Sequence, residues 1–315
     1  MSGSENSNNR LLVTGATGFI GSHLCFELVQ RGFQVWGLCC SGEPKGLRAL
    51  IAQPNFHLLQ QDIRDAVTLQ QLLTDTSTEV IFHLAAQLPC AEDQLDPCCS
   101  LDINGQGTLN LLRAAKLAGV KKFIYSSTID VYTEPPVYLP VDERHPTRPS
   151  TAYGIGKLEG ELYAGLYSQT MQSTVLRYSI VYGHGGKQGG AVNRFVRLAL
   201  GGEPLTVYGG GAQSNDFVYV GDVVKANMLA LQSEGPGIYN IGSGQETSIR
   251  ELAQTIIKLT GSRSELVLTG VESNRPFRFS LDISQAQREL GYEPRALEEG
   301  MVECIGECSK LQVRS

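Results

Sequence analysis

Residues 11–32 read LLVTGATGFIGSHLCFELVQRG, a short apolar run, a turn with glycines at 15, 18 and 21, and an amphipathic stretch that stops at Gly32. No other feature limits the possible folds as much. A strand that passes through glycines directly into a helix lets the backbone close tightly. It also leaves the first N–H groups of the helix, at the positive end of its dipole, open to an anion. Such a turn at the head of a βα unit is built for a pyrophosphate. The alternative, a purely structural turn, explains the glycines but not their place between a first strand and a first helix.

The pattern continues along the chain. FQVWGLCC, FHLLQQDI, EVIFHLAAQ and KKFIYSST read as buried strands, and TLQQLLTDT and NGQGTLNLLRAAKLAG as helices. Apolar runs alternating with amphipathic helices predict an α/β, Rossmann-type, doubly wound parallel sheet covered on both faces. From residue 183 the texture changes. YGHGGKQGGAVNRF reads as a glycine-rich loop, and GGEPLTVYGGG as a short strand between turns. A smaller, discontinuous α/β substrate-binding lobe is expected over 183–235 and 243–315. The dinucleotide-binding domain would then span 10–182, with a last strand returning near 236–242 in GIYNIGSG. Residues 1–9 read as a disordered lead.

The formal charge of −6 and the absence of a basic run exclude a nucleic-acid binder, which needs clustered Lys and Arg. No stretch approaches the length of a membrane span, and the polar start carries no apolar leader, so a cytoplasmic protein is expected. The eight cysteines include the adjacent pairs Cys39–Cys40 and Cys98–Cys99 and contain no CxxC. Cys304 and Cys308 stand one helical turn apart without further ligands. Reduced thiols and no metal site are expected.

In STAYGIGKLEGE, Tyr153 stands four residues before Lys157, so both lie on one helix face. A nearby ammonium favours phenolate and brings a tyrosine towards the range where it can move a proton at neutral pH. By themselves the two residues would read as a solvated helix face. Beside the glycine turn and YSST they read as catalytic.

GATGFIG, the Asp of QDIRD, FHLAA, NGQGTLNLL, YSST, YGIGK and DFVYV together resemble the extended short-chain dehydrogenase/reductase superfamily, of the NAD-dependent epimerase/dehydratase, sugar-nucleotide type. The resemblance runs from Leu11 to about Tyr292. It implies that Tyr153 is the acid/base, that Lys157 holds the nicotinamide ribose and tunes the tyrosine, and that Thr128 completes the triad. It also implies a dinucleotide bound by Gly15, Thr17, Gly18, Phe19, Ile20 and Gly21 of the turn. Cys39, Cys40 and Ser41 would follow the second strand, Asp62 and Ile63 sit by the adenine, and Leu84, Ala85, Ala86, Asn104 and Ser126 lie along the rest. Gln87, Ile180, Asn193, Val207, Asn215 and Arg275 correspond to substrate positions, with Arg275 clamping a diphosphate as a fork of donors.

The sequence departs from the family pattern at several positions. Cys39 stands where an acid would accept the ribose hydroxyls, which leans the choice between NAD and NADP towards NADP. Ile129 replaces the first acid of the pair that dehydratases carry after the hydroxyl residue, so 4,6-dehydration is disfavoured; Asp130 remains as a base or a turn carboxylate. Asn215 replaces an arginine, and Ile180 an asparagine. The reading is an enzyme that oxidises or reduces a sugar carbinol on a nucleoside diphosphate, a 4-epimerase or a 4-ketoreductase. A dehydrogenase of a more apolar alcohol or ketone is the alternative that Ile180 and Asn215 support. A non-catalytic cofactor sensor is disfavoured because Tyr153 and Lys157 are both present. Pairing of two copies through NGQGTLNLLRAAKLAG and YGIGKLEGELYAGLYSQ is also expected.

Overall fold

Leu11, Leu12 and Val13 are fully buried, and the strand they form lies inside a seven-stranded sheet. The computed structural model describes residues 10–40, 45–89, 97–186, 190–270 and 277–312. In chain order the first elements are β1 (Arg10–Thr14), α1 (Phe19–Gln30), β2 (Gln34–Cys39), β3 (Phe56–Gln60), α2 (Ala66–Asp75) and β4 (Val80–His83). Then come α3 (Cys98–Ser100), a π-helical stretch (Leu101–Gly107), α4 (Thr108–Ala118), β5 (Lys122–Thr128), α5 (Ala152–Tyr167) and β6 (Gln172–Tyr178). The later elements are β7 (Ile180–Tyr182), α6 (Ala191–Leu200), β8 (Leu205–Tyr208), β9 (Ser214–Asn215), β10 (Phe217–Tyr219), α7 (Val220–Gln232) and β11 (Gly237–Ile241). The chain ends with β12 (Thr247–Ser248), α8 (Ile249–Thr260), β13 (Leu266–Thr269), α9 (Ser284–Leu290) and α10 (Leu297–Gln312).

The sheet runs β11-β6-β5-β4-β1-β2-β3, a parallel sheet whose order reverses at β1 and β4. Crevices beyond the strand ends at such a reversal are where dinucleotides bind. The sheet includes the returning strand expected in GIYNIGSG. Leu12, Ile81 and Phe123 of the strands pack with Leu69 and Leu73 of α2, Leu111 and Ala115 of α4 and Ala164 of α5.

Two compact units divide the chain. One holds residues 1–133, 147–177 and 227–239, and the other holds 134–146, 178–226 and 240–315. The second unit contains three two-stranded pairs, β10-β7, β12-β9 and β13-β8. Its α6 begins at Ala191, inside the stretch that reads as a loop. Val192, Phe195, Val196 and Ala199 supply one apolar stripe, and burying that stripe overrides the glycines before it. Among the described residues, no helix is long and apolar enough to cross a membrane. The expected lead at 1–9 lies outside the described residues.

Candidate active site

The glycine turn is tight because its backbones touch. Gly15 takes φ +69°, a conformation that favours glycine, and a Cβ there would stand 2.8 Å from the Ala85 nitrogen. A Cβ on Gly21 would press into the Gly15 carbonyl oxygen. Gly18 sits at the N-cap of α1 with no side-chain cap, and the first turn carries no acid. α2, α5 and α8 instead cap themselves with Asp65, Thr151 and Ser248. The N–H groups that open α1, around Phe19 and Ile20, therefore fit a pyrophosphate. Thr17 is half-buried beside them.

Cys39 ends β2, nearly buried, with its thiol directed at the Leu59 carbonyl at 3.7 Å, and Cys40 is exposed. Burial, with a lesser contribution from Cys40, raises the Cys39 pKa, so the group is a thiol and not an anion. Asp62 opens the turn after β3, and its carbonyl accepts the Asp65 N–H at 3.2 Å. The Arg64 guanidinium grips its carboxylate at 2.7 and 3.1 Å and lowers its pKa. Ile63 is buried. Leu84, Ala85, Ala86 and Gln87 follow β4 and are each partly exposed. Ser41 and Arg275 lie outside the described residues.

Asn104 is buried in the π-helical stretch. Its Oδ1 accepts the Gln87 N–H at 2.8 Å, and its amide donates to the Gln87 carbonyl at 2.9 Å and to the Ser100 hydroxyl at 2.9 Å. It thus pins the loop after β4. The expected plain helix is here wound one residue wider, a form that recurs at functional sites.

Thr128 ends β5, buried, and its hydroxyl accepts the Asp130 N–H at 3.2 Å. Its own proton remains available for donation. Ser126 and Ser127 before it are buried, Ile129 is half-buried and Asp130 exposed. Helix α5 meets this strand through its glycines. A Cβ on Gly156 would stand 2.8 Å from that of Asn104, and a Cβ on Gly160 would strike the Tyr125 hydroxyl. Tyr153 is partly exposed on the wall of a cavity of about 660 Å³ that Pro89, Pro97, Leu101, Thr151 and Ile155 also line.

Lys157 is almost fully buried. Its ammonium donates to the Ser126 carbonyl at 2.7 Å and lies 4.8 Å above the Tyr125 ring. Burial pulls its pKa down to about 7, and the charge of Glu161, one turn further along α5, works against that drop. Tyr153, Lys157 and Asn104 are therefore gathered where α5, the π-helical stretch and the end of β5 converge.

Two buried groups behind this cluster escaped the sequence reading. Glu161 is bound by Arg177 of β6 at 2.6 Å, accepts the Ser127 hydroxyl, and is 3% exposed. Arg177 also donates to the Tyr132 hydroxyl at 3.0 Å. The signal was present in the spacing: Tyr153, Lys157 and Glu161 repeat every four residues along one helix face. His83, in FHLAA, is the second.

In the other unit, Ile180 is partly exposed on β7, and its N–H donates to the Asp216 carbonyl at 3.2 Å. Asn193 on α6 has a buried side-chain oxygen with no hydrogen-bond partner among the described residues. Val207 is buried on β8, and Asn215, on β9, pairs with Thr247.

Comparison with known proteins converges on one family. The model of the NAD dependent epimerase/dehydratase family matches residues 11–242. A UDP-glucose 4-epimerase of Mycolicibacterium smegmatis is 36% identical, over 94% of this chain and 97% of that protein. A UDP-N-acetyl-alpha-D-glucosaminuronate decarboxylase of Bacillus cytotoxicus is also 36% identical, over 94% and 96%. Among solved structures, UDP-glucose 4-epimerase from Thermotoga maritima with UDP-glucose superposes with a TM-score of 0.87, at 33% identity, over 96% of this chain and 99% of that one. UDP-glucuronic acid 4-epimerase from Bacillus cereus with UDP-glucuronic acid and NAD gives 0.83, at 30% identity, over 96% and 99%. The glycine turn, the parallel sheet that carries it and the Tyr–Lys helix thus place this chain in the NAD-dependent epimerase/dehydratase family, as an extended short-chain dehydrogenase/reductase enzyme acting on sugar nucleotides.

Proposed function

We propose that the protein is a UDP-sugar 4-epimerase in which Tyr153 moves the proton of the 4-hydroxyl. The single observation that carries this reading is the buried Lys157, one helical turn from Tyr153 and held on the Ser126 carbonyl beside Thr128. With a pKa near 7, Lys157 exchanges its proton in the range where a sugar alcohol must be oxidised and rereduced. When bound between the glycine turn and Lys157, the dinucleotide would supply a reversible hydride acceptor for C4. Tyr153 takes the hydroxyl proton as the hydride leaves and gives it back on return, so the two-electron oxidation and reduction cancel. Thr128 donates to the same sugar oxygen, Lys157 steadies the charged phenol, and Asn104 fixes the loop that carries Gln87.

The missing acid at Ile129 supports an epimerase over a 4,6-dehydratase. The decarboxylase relative supports a second reading. A uronic acid oxidised at C4 is a β-keto acid and loses carbon dioxide by itself. A 4-ketoreductase would use the same residues with an exchanging cofactor. The lean to NADP rested on Cys39, whereas the relative solved with NAD supports NAD. The substrate roles of Gln87, Ile180, Asn193, Val207, Asn215 and Arg275 belong to this proposal, as do the division into a dinucleotide domain and a substrate lobe, and a cytoplasmic location. So does a homodimer. Leu101, Leu117, Ile155, Leu162 and Leu166 stand exposed on the π-helical stretch, α4 and α5, an apolar face a second copy would cover.

The test is chromatography of UDP-glucose, UDP-galactose and UDP-glucuronate after incubation with the protein, with mass spectrometry of the nucleotide released on denaturation. The epimerase reading expects interconversion of the two hexoses, loss of about a hundredfold or more in Tyr153→Phe, and NAD released in near-equal amount. A UDP-pentose from UDP-glucuronate alone would replace it with the decarboxylase reading.

A further inference from the structure

His83 ends β4 with no exposed surface, and both its ring nitrogens are bonded. Nδ1 lies 2.7 Å from the Thr14 hydroxyl, and Nε2 lies 2.9 Å from the Thr108 hydroxyl. The direction of every proton in this chain follows from one group that can only accept. The Asn104 carbonyl is 2.6 Å from the Thr108 hydroxyl, so the single proton of Thr108 is committed to it. The Tyr125 phenol, which also hydrogen-bonds Thr108, donates to the Lys157 carbonyl at 3.3 Å, and neither contact leaves a Thr108 proton for the imidazole. The proton between His83 and Thr108 therefore belongs to the imidazole, on Nε2. Nδ1 is then bare if the ring is neutral, and Thr14 must be its donor. Thr14 accepts in turn the N–H groups of Leu84 and Ala85 at 3.2 and 3.1 Å, the Leu84 N–H being shared with the Thr14 carbonyl at 3.3 Å.

The ring is neutral for two reasons. Burial pushes its pKa well below the usual value, and the nearby Lys157 ammonium adds to the effect. A second proton on Nδ1 would also point at an oxygen that already accepts from the Leu84 and Ala85 N–H groups.

Thr14 immediately precedes Gly15, the residue at the heart of the glycine turn. Thr108 closes the π-helical stretch through the carbonyl of Asn104. We infer that His83 is a positioning residue which, as a fixed Nε2–H tautomer, couples the glycine turn to the Asn104 segment, its Thr14 side serving cofactor affinity and its Thr108 side serving turnover. The inference rests on the proposed epimerase reading for its turnover arm only. The two ring nitrogens can be tested separately, because an asparagine amide reaches the place of Nδ1 and a glutamine amide the place of Nε2.

The experiment has three parts. First, ¹⁵N resonances of the His83 ring, assigned against His83→Gln, should show a protonated Nε2 and a bare Nδ1; the reverse tautomer overturns the inference. Second, NADH titrated into the nucleotide-free protein should bind His83→Asn nearly as well as wild type, and His83→Gln about tenfold more weakly, the effect of losing one buried bond. Third, turnover of UDP-galactose at saturating nucleotide should fall about tenfold in His83→Asn and stay near wild type in His83→Gln. Thr108→Val should match His83→Asn, and adding it to that variant should cost little more. If both His83 variants lose affinity and turnover in parallel with melting temperature, the residue is structural only and the inference fails. If wild type turns over neither UDP-hexose, the epimerase reading fails, while the ring tautomer and the NADH arm still decide the coupling.

Discussion

Replacing Lys157 with methionine should stabilise the nucleotide-free protein at and below neutral pH, at the expense of activity. A fall from 10.5 to about 7 means that the fold disfavours the ammonium by about 5 kcal/mol relative to the unfolded chain. Methionine of similar length keeps the packing and removes that burden. Against this stand the lost bond to the Ser126 carbonyl and the contact with the Tyr125 ring, together about 2 kcal/mol. Glu161 is not orphaned, because Arg177 still binds it. The net gain is about 3 kcal/mol below pH 7, or about 4–5 °C in melting temperature for a chain of 315 residues. The sign with pH is definite. The folded-state pKa of Lys157 lies below its unfolded value, so the unfolded chain holds the extra proton between about pH 7 and 10.5. Wild type is therefore penalised in full below pH 7 and recovers as pH rises towards 10.5. Thermal and urea unfolding of wild type and Lys157→Met at pH 6.5, 8 and 9.5 measures this. The gain of the variant should be largest at pH 6.5 and should have mostly disappeared by 9.5, while turnover falls about a hundredfold or more. A variant that melts below wild type at pH 6.5, or a gain that does not change with pH, refutes the reasoning.

Glu161→Gln leaves Arg177 buried without its charge partner and should cost about 3–5 kcal/mol in urea unfolding; it should also lower the Lys157 pKa further, since the Glu161 charge raises it. Gly21→Ala puts a Cβ against the Gly15 carbonyl and 3.1 Å from the Ala16 Cα, backbone that cannot yield cheaply; NADH titration should show at least about tenfold weaker binding. Asp216 accepts the Ser243 N–H and hydroxyl and the Gly244 N–H at 2.7–3.0 Å, so Asp216→Asn, which turns an amide towards those donors, should lower stability by about 2 kcal/mol in thermal unfolding. Leu162→Asp combined with Leu166→Asp should convert the dimer proposed above to a monomer, read by light scattering.

The glycine turn, the alternation of buried strands with amphipathic helices and the Tyr153–Lys157 helix were legible because each rests on local chemistry: conformational freedom, apolar periodicity and a four-residue spacing; the order of the strands came only from the folded sheet. The π-helical turn at Asn104 was not legible. It occurs where the Asn104 amide bonds the Gln87 backbone, a contact between residues 17 apart that no local pattern shows. The partnership of Glu161 with Arg177 was half legible. The spacing put Glu161 on the face of Tyr153 and Lys157, but the arginine arrives from β6, and only the folded sheet brings it near. β9 and β12, two residues each, could not be seen, because pairing across the second unit and not local propensity makes them strands. The start of α6 was obscured by the glycines that precede it.

UDP-galactose carrying deuterium at C4, turned over in the presence of excess unlabelled free NADH, tests the central claim most directly. UDP-glucose should retain the deuterium at C4, because an epimerase holds the hydride at one site and returns it. Deuterium found in the free dinucleotide, or product without label, would contradict it.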